Sequence, residues 1–360
     1  VQIYSGLGKF VYRTIRSLRT GRFRPLLHSY EKNPASIIPM RSATGTLTHL
    51  ARVTLITLVL LGGGLCIHWL TFSTTVSDSD LEHQRLFNDN YKVFSLTIPD
   101  QLEFCGEKVP MERLDVRERL DRELLINTYW QSSTLIAHKR ANRWFPLIEE
   151  ILKREGVPED MKYLSVIESG LANVVSPAGA TGYWQFMKET GTLYGLEISG
   201  EVDERYDMEK STIAACKYLK ASYKRYGNWA LAAASYNLGV GGVDKQLGRQ
   251  KQDSYFNLQL NDETSRYVFR MLAMKEVLQD PERYGFHLRA KDLYQPYRTR
   301  VLEINGAVDD LAQFAIDNET DYRTLKLLNP WLRDSRLANQ NGKAYKVLLP
   351  GKGFDEGGAE

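Results

Sequence analysis

Cysteine is scarce in this chain of 360 residues: Cys66, Cys105 and Cys216 stand far apart. Three scattered thiols give neither a disulfide framework nor the paired spacing of a zinc site. Acids are almost missing at the start, where Glu31 alone stands against Lys9, Arg13, Arg16, Arg19, Arg22, Arg24, Lys32, Arg41 and Arg52. Since the net charge is only +3, the rest of the chain is net acidic. That removes the basic folded surface a nucleic-acid partner would need, and leaves a solvated basic tail. Extremes of composition are lacking too: 43% apolar and 25% charged residues exclude wholesale disorder and a many-span membrane protein.

What is present first is one long apolar run. Val53 to Phe72, "VTLITLVLLGGGLCIHWLTF", holds 20 residues without an acid, a lysine or an arginine, enough for one membrane-crossing helix. Arg41 and Arg52 precede it, and Asp78, Asp80 and Glu82 follow. The positive-inside rule then keeps the N-terminus in the cytoplasm and exports everything after about residue 76. The alternative is a buried helix of a soluble domain, since Gly62, Gly63, Gly64 and His68 weaken the span. Leu65 stands where a lipoprotein signal ahead of Cys66 wants a small residue. Met40 would open a shorter leader, so whether residues 1–39 belong to the natural product stays open, as does cleavage near Ser77.

The spacing predicts a mainly α protein. Residues 1–52 form the basic segment, 53–72 the transmembrane or signal-anchor helix, and 73–110 a linker or wrapping segment without sustained period. From 111 to 286 apolar residues recur at threes and fours between Gly, Asn, Asp and Pro boundaries, which reads as an all-helical domain. Within it, residues 111–156 read as one helical stretch capped by Gly156. Residues 298–350 alternate short β-like runs, "RTRVLEI" and "AYKVLLPG", around two helical ones, giving a small α+β module.

Two stretches carry chemistry. On the helix after Pro158, Glu168 falls on the same stripe as Met161 and Leu164 and in the last turn. Desolvation and the negative end of the helix dipole both favour its neutral form, which is what a general acid requires. "SPAGATGYWQFM" then sets Ser176, Gly179, Ala180 and Gly182 beside Trp184, Gln185 and Met187 at the start of a helix. The small residues predict main-chain amides open to a ligand, Gln185 an amide, and Trp184 a stacking face. That combination suits a neutral, polar, ring-shaped ligand such as an N-acetylated sugar. "AAASYNLGVGG" supplies Tyr236 and Asn237 on a small-faced helix, and "ETSRYV" supplies Glu263 and Tyr267. The glycine run Gly239, Gly241, Gly242 lacks the lysine of a phosphate loop.

"ES" at 168, "SPAGATGYWQFM" at 176, "AAASYNLG" at 232 and "ETSRYV" at 263, in this order, resemble the soluble lytic transglycosylase catalytic domain, over about Arg143 to Phe286. The resemblance implies a lysozyme-like fold and peptidoglycan as substrate. It makes Glu168 the catalytic acid and then base, and lines the sugar cleft with Ser169, Ser176, Gln185, Tyr236 and Asn237, supported by Glu263 and Tyr267. Gly179, Ala180 and Gly182 fall in the same substrate-binding stretch, with Trp184 and Met187 as further contacts. Trp184 stands where the family often has a smaller or aliphatic residue. Residues 298–350 resemble a LysM glycan-binding repeat in element order and in "LKLLNPWL", but open with "INGAVDDLAQFA" in place of the usual Gly-Asp-Thr.

A hydrolysing glycosidase usually employs two carboxylates, whereas this motif offers one obvious carboxyl group. The implied reaction fits: Glu168 protonates the oxygen between N-acetylmuramic acid and N-acetylglucosamine, then takes the proton of the muramyl 6-hydroxyl as a 1,6-anhydro ring closes. It calls for no metal and no organic cofactor. The expected partners are peptidoglycan glycan strands and, through one helix, the membrane. The expected place is the cell envelope, either anchored in the inner membrane with the catalytic domain in the periplasm or secreted there. The rivals are a muramidase of the same fold and a non-catalytic peptidoglycan-binding protein.

Overall fold

A computed structural model of the chain describes residues 93–354, together with six residues between 80 and 89. The expected membrane helix at 53–72 lies outside the described residues. Among the described residues no helix is long and apolar enough to cross a membrane.

The segment after Val93 wraps into the helical domain by burying Leu102, Phe104, Val109 and Met111 in its core. Two short antiparallel strands, β1 (Glu103–Phe104) and β2 (Glu107–Lys108), turn through Cys105 and Gly106. Where one helical stretch was expected there are two helices, α1 (Leu114–Tyr129) and α2 (Gln131–Glu155). The break falls at the exposed Trp130, whose φ of −85° and ψ of 53° end one helix and begin the next. α2 closes on Gly156 in the left-handed region, as its sequence predicts.

Pro158 then precedes a 3-10 turn, Glu159–Met161, that leads into the short helix α3 (Lys162–Ser169). α4 (Lys188–Leu193) follows, then α5 (Met208–Tyr226), capped by Asp207, and α6 (Trp229–Leu238), capped by Asn228. The Gly239 junction turns the chain straight into α7 (Val240–Gln250), and α8 (Asp262–Gln279) starts at the Asn261 cap. A β-carbon on Gly242 would lie 2.6 Å from Leu238 Cγ, so any larger residue at this α6–α7 corner requires the Leu238 side chain to move. α8 packs on both α1 and α3, and α6 packs on α5 and α8. The alanines of α6, Ala230 and Ala232 to Ala234, are fully or almost fully buried because small side chains let these axes approach closely.

The last part is a two-stranded antiparallel sheet of β3 (Thr299–Ile304) and β4 (Tyr345–Pro350), in register from Thr299 opposite Pro350 to Ile304 opposite Tyr345. Between the strands come α9 (Leu311–Asp317) and α10 (Tyr322–Leu328), each capped by an aspartate, Asp310 and Asp321. Leu311, Ala315, Leu325, Trp331, Val347 and Leu349 fill its small core.

Candidate active site

Glu168 sits in the last turn of α3, in which Lys162 to Ile167 are all buried and Glu168 itself is partly exposed. Gly170, at φ 60°, ends the helix immediately after it. Two arginines cover the exposed carbonyls of this terminus. Arg270 of α8 donates to the carbonyl of Ile167 at 2.8 Å, and Arg140 of α2 donates to that of Gly170 at 2.9 Å. The helix end therefore carries its own countercharge, which offsets the dipole contribution that the sequence suggests.

Tyr267, on α8 and buried, donates its hydroxyl to Oε1 of Glu168. Burial raises the Glu168 pKa above its ordinary value, and the negative charge of Glu263 adds to it; the Tyr267 hydrogen bond and the Arg270 charge pull the other way. Burial, reinforced by the Glu168 charge, also holds the phenols of Tyr267 and Tyr236 well above their ordinary range, so both remain donors.

The loop from Ser176 to Met187 folds back on itself beside α3. Bridges pair Val175 with Thr181 and Thr181 with Phe186. The amides that the sequence offers to a ligand are used inside this loop. Gly179 N–H donates to Ser176 O at 2.9 Å, Ala180 N–H to Ser176 Oγ at 3.0 Å, and Gly182 N–H to Val174 O at 2.9 Å. Gly182 is glycine for packing: at φ 84°, a β-carbon there would lie 1.9 Å from the carbonyl oxygen of Arg205. Gly179, at φ 87°, faces open space and serves the turn.

Gln185 likewise turns inward, at φ 50°, with its side-chain amide donating to Val174 O at 3.0 Å and Gly182 O at 2.7 Å. Trp184 offers no face to solvent. It is 0% exposed, its indole N–H donates to Thr212 Oγ1 at 2.9 Å, and it precedes α4 instead of opening it. The expectation of a stacking platform at Trp184 is corrected: its ring is core, locked by a hydrogen bond to α5. Met187, the residue before α4, is exposed at the end of the loop.

Three further hydroxyls and amides converge. Ser169 Oγ donates to Tyr183 O at 2.7 Å, and Tyr236 of α6 donates to Trp184 O at 2.8 Å, so consecutive loop carbonyls are pinned from two helices. Phe186 and Tyr218 flank the Tyr236 ring, with centroids 5.6 and 5.0 Å away. Asn237 donates to Glu263 Oε1 at 2.9 Å and accepts from Thr264 Oγ1 at 2.6 Å, joining the end of α6 to the start of α8. The structure thus gathers Glu168, Ser169, Tyr236, Asn237, Glu263 and Tyr267, with Ser176, Gly179, Ala180, Gly182 and Gln185 in the adjoining loop. Arg140 and Arg270 are what the sequence reading missed. Arg270 lies three residues after Tyr267 and so on the same face of α8, a readable signal; Arg140 has none.

With that geometry in place, two stretches of the chain match known domain families. Residues 146–259 match the Transglycosylase SLT domain, and residues 300–353 match the Soluble lytic transglycosylase C-terminal LysM-like domain. The chain carries an SLT transglycosylase domain. It is 30% identical over 266 residues to membrane-bound lytic murein transglycosylase D of Escherichia coli strain K12, a match covering 70% of this chain and 56% of that protein. The same protein of a second Escherichia coli strain matches equally. The chain thus spans about half the length of the curated relatives it matches. Among solved structures, the 70 kDa soluble lytic transglycosylase of Escherichia coli aligns with 23% identity and a TM-score of 0.33, over 42% of this chain and 26% of that one.

Proposed function

We propose that this SLT-domain chain is a lytic murein transglycosylase that cleaves the β-1,4 bond between N-acetylmuramic acid and N-acetylglucosamine and leaves 1,6-anhydro ends. The observation that carries the reading is Glu168: a partly exposed carboxyl with a raised pKa, fixed by a buried tyrosine hydroxyl. Such a group keeps its proton to higher pH than an ordinary carboxyl and can deliver it to the bridging oxygen of a glycan. The substrate's own N-acetyl group then stabilises the positive charge at C1. Glu168, now a carboxylate, accepts the proton of the muramyl 6-hydroxyl as its oxygen attacks C1 and the anhydro ring closes.

In this reading Asn237 and Glu263, tied to each other and with the Glu263 charge felt at Glu168, bind sugar hydroxyls and N-acetyl oxygens. Tyr236 and Ser169 act one step back, by holding the loop carbonyls of residues 183 and 184. Membrane attachment through residues 53–72 and work in the cell envelope belong to the same proposal, supported by the apolar run and by the name of the relative.

One observation favours a second reading. Glu263 is close enough for its charge to raise the Glu168 pKa, and two carboxyl groups are what a hydrolysing muramidase employs. Mass spectrometry of fragments released from purified peptidoglycan separates the two. Muramyl ends one water lighter than hydrolysed ends support transglycosylation, ordinary reducing ends make the protein a muramidase, and no release makes it a binding protein.

A further inference from the structure

The segment Glu197–Tyr206 belongs to the helical domain by sequence, yet it completes two structures at once. On one side Val202, 1% exposed, is part of the core of the C-terminal module, in the same cluster as Trp331, Leu332 and Val347. Val202 pairs with Leu332 as an antiparallel bridge. Asp203 N–H donates to Trp331 O at 2.9 Å, Arg333 N–H to Glu201 O at 2.7 Å, and Ala338 N–H to Glu201 Oε2 at 2.8 Å. The Tyr345 hydroxyl donates to Glu197 at 2.9 Å, Lys343 pairs with Glu197 and Glu204, and the Arg333 guanidinium lies 3.9 Å over the Tyr206 ring.

On the other side the same segment buttresses the loop beside Glu168. Arg205 Nη1 donates to Phe186 O at 3.2 Å and Gly179 O at 3.3 Å. Asp203 holds that guanidinium in place by accepting from Nε at 3.0 Å and Nη2 at 2.7 Å. The Arg205 carbonyl fits against Gly182, and Asn173 Nδ2 donates to Tyr206 O at 3.1 Å. Between Gly182 and Phe186 lie Tyr183 and Trp184, whose carbonyls receive Ser169 and Tyr236. A module that merely tethered the enzyme to the wall would need a linker and its own core. Here a residue of the catalytic part fills that core, and the next residues fix the site loop.

We infer that the C-terminal module is a positioning element of the cleavage site: seating Val202 in the module sets the Asp203–Arg205 pair, which holds residues 176–187 against the end of α3. The inference rests on the proposed function for its kinetic consequence, but the mechanical coupling stands by itself. Val202 and Arg205 are positioning residues. Small displacements of groups around a reacting centre are costly in rate, so unseating the module lowers turnover without removing any group that touches glycan.

The test uses the full chain with Val202→Asp, which puts a carboxylate into the module core, and Val202→Ala as a milder variant. Three quantities are read: kcat and KM on soluble, uncross-linked N-acetylglucosamine–N-acetylmuramic acid oligomers, hydrogen exchange along the chain, and pelleting with insoluble peptidoglycan. The expected result for Val202→Asp is a fall in kcat of about 10- to 100-fold with KM little changed. Amides of residues 176–187 exchange faster, protection in α3 and α8 is retained, and Val202→Ala shifts the same quantities less. Wild-type kcat on soluble oligomers together with unchanged exchange at 176–187, and only weaker pelleting, overturns the inference and makes the module a wall anchor. Faster exchange throughout α3 and α8 overturns it also, because Val202 is then only part of general stability. If the wild-type chain cleaves no glycan, the proposed function fails, while the exchange measurement still decides the coupling.

Discussion

Tyr267 donates its hydroxyl to Glu168 from a helix that also sends Arg270 to the end of α3, so one face of α8 controls both the proton and the helix end beneath it. Removing the hydroxyl in Tyr267→Phe takes away a hydrogen bond that favours the carboxylate form, and the Glu168 pKa rises further above its ordinary value. The protonated form is the general acid, so activity declines as pH rises through that pKa. The expected outcome is a high-pH limb of the kcat profile displaced upward in Tyr267→Phe relative to wild type. A limb that stays in place or moves down would show that Tyr267 does not set the proton affinity of Glu168.

Glu168→Gln keeps the shape and an acceptor oxygen for Tyr267 but cannot give a proton, so glycan release should fall about 10²- to 10⁴-fold. The same substitution should stabilise the fold at neutral pH. Glu168 has a raised pKa in the folded state, so between its ordinary value and that raised value the folded chain binds more protons than the unfolded one. Stability is therefore lost as pH rises through this window. Gln does not titrate, so the melting temperature of Glu168→Gln should exceed that of wild type at pH 7, and the difference should shrink toward pH 4. Thermal unfolding at both pH values, run beside the cleavage assay, checks both halves.

The helical part was readable because its signals are local. Asn228, Asp207, Gly156 and Pro158 mark boundaries whose chemistry does not depend on distant packing. The strand, helix, helix, strand order of the last module was readable for the same reason. The break at Trp130 was not, since no glycine or proline punctuates it, while Pro146, a usual breaker, lies inside α2. The position of Glu168 on a buried stripe near a helix end followed from spacing, and so did the value of small residues after it. What those small residues touch did not follow: Gly182 meets the backbone of Arg205. A pattern of glycine and alanine says that something approaches closely, without saying whether it is a ligand or the chain itself.

Trp184 is the case where the two readings diverge in a measurable way. As a buried ring bonded to Thr212, its replacement by Phe forfeits one hydrogen bond and some packing, together about 2 kcal/mol of stability. The KM for soluble glycan should stay as in wild type, because the ring touches no sugar. Denaturant unfolding and steady-state kinetics on the same preparation decide this, and a raised KM with unchanged stability would restore Trp184 to the glycan surface.

Gly179 and Gly182 share a positive φ, but the structure gives them different tolerances. At Gly179 a β-carbon meets nothing within 4 Å, so Gly179→Ala carries only the strain of a left-handed conformation, about 1–2 kcal/mol. At Gly182 the same strain is joined by a collision at 1.9 Å with the Arg205 carbonyl, which is backbone and cannot rotate away. Gly182→Ala should therefore cost about 3–5 kcal/mol in denaturant unfolding, or displace the loop from residues 203–206 and take activity with it. Equal costs at the two positions would mean that the loop is free to shift away from Arg205. The contact would then not be the rigid link through which the C-terminal module reaches the site.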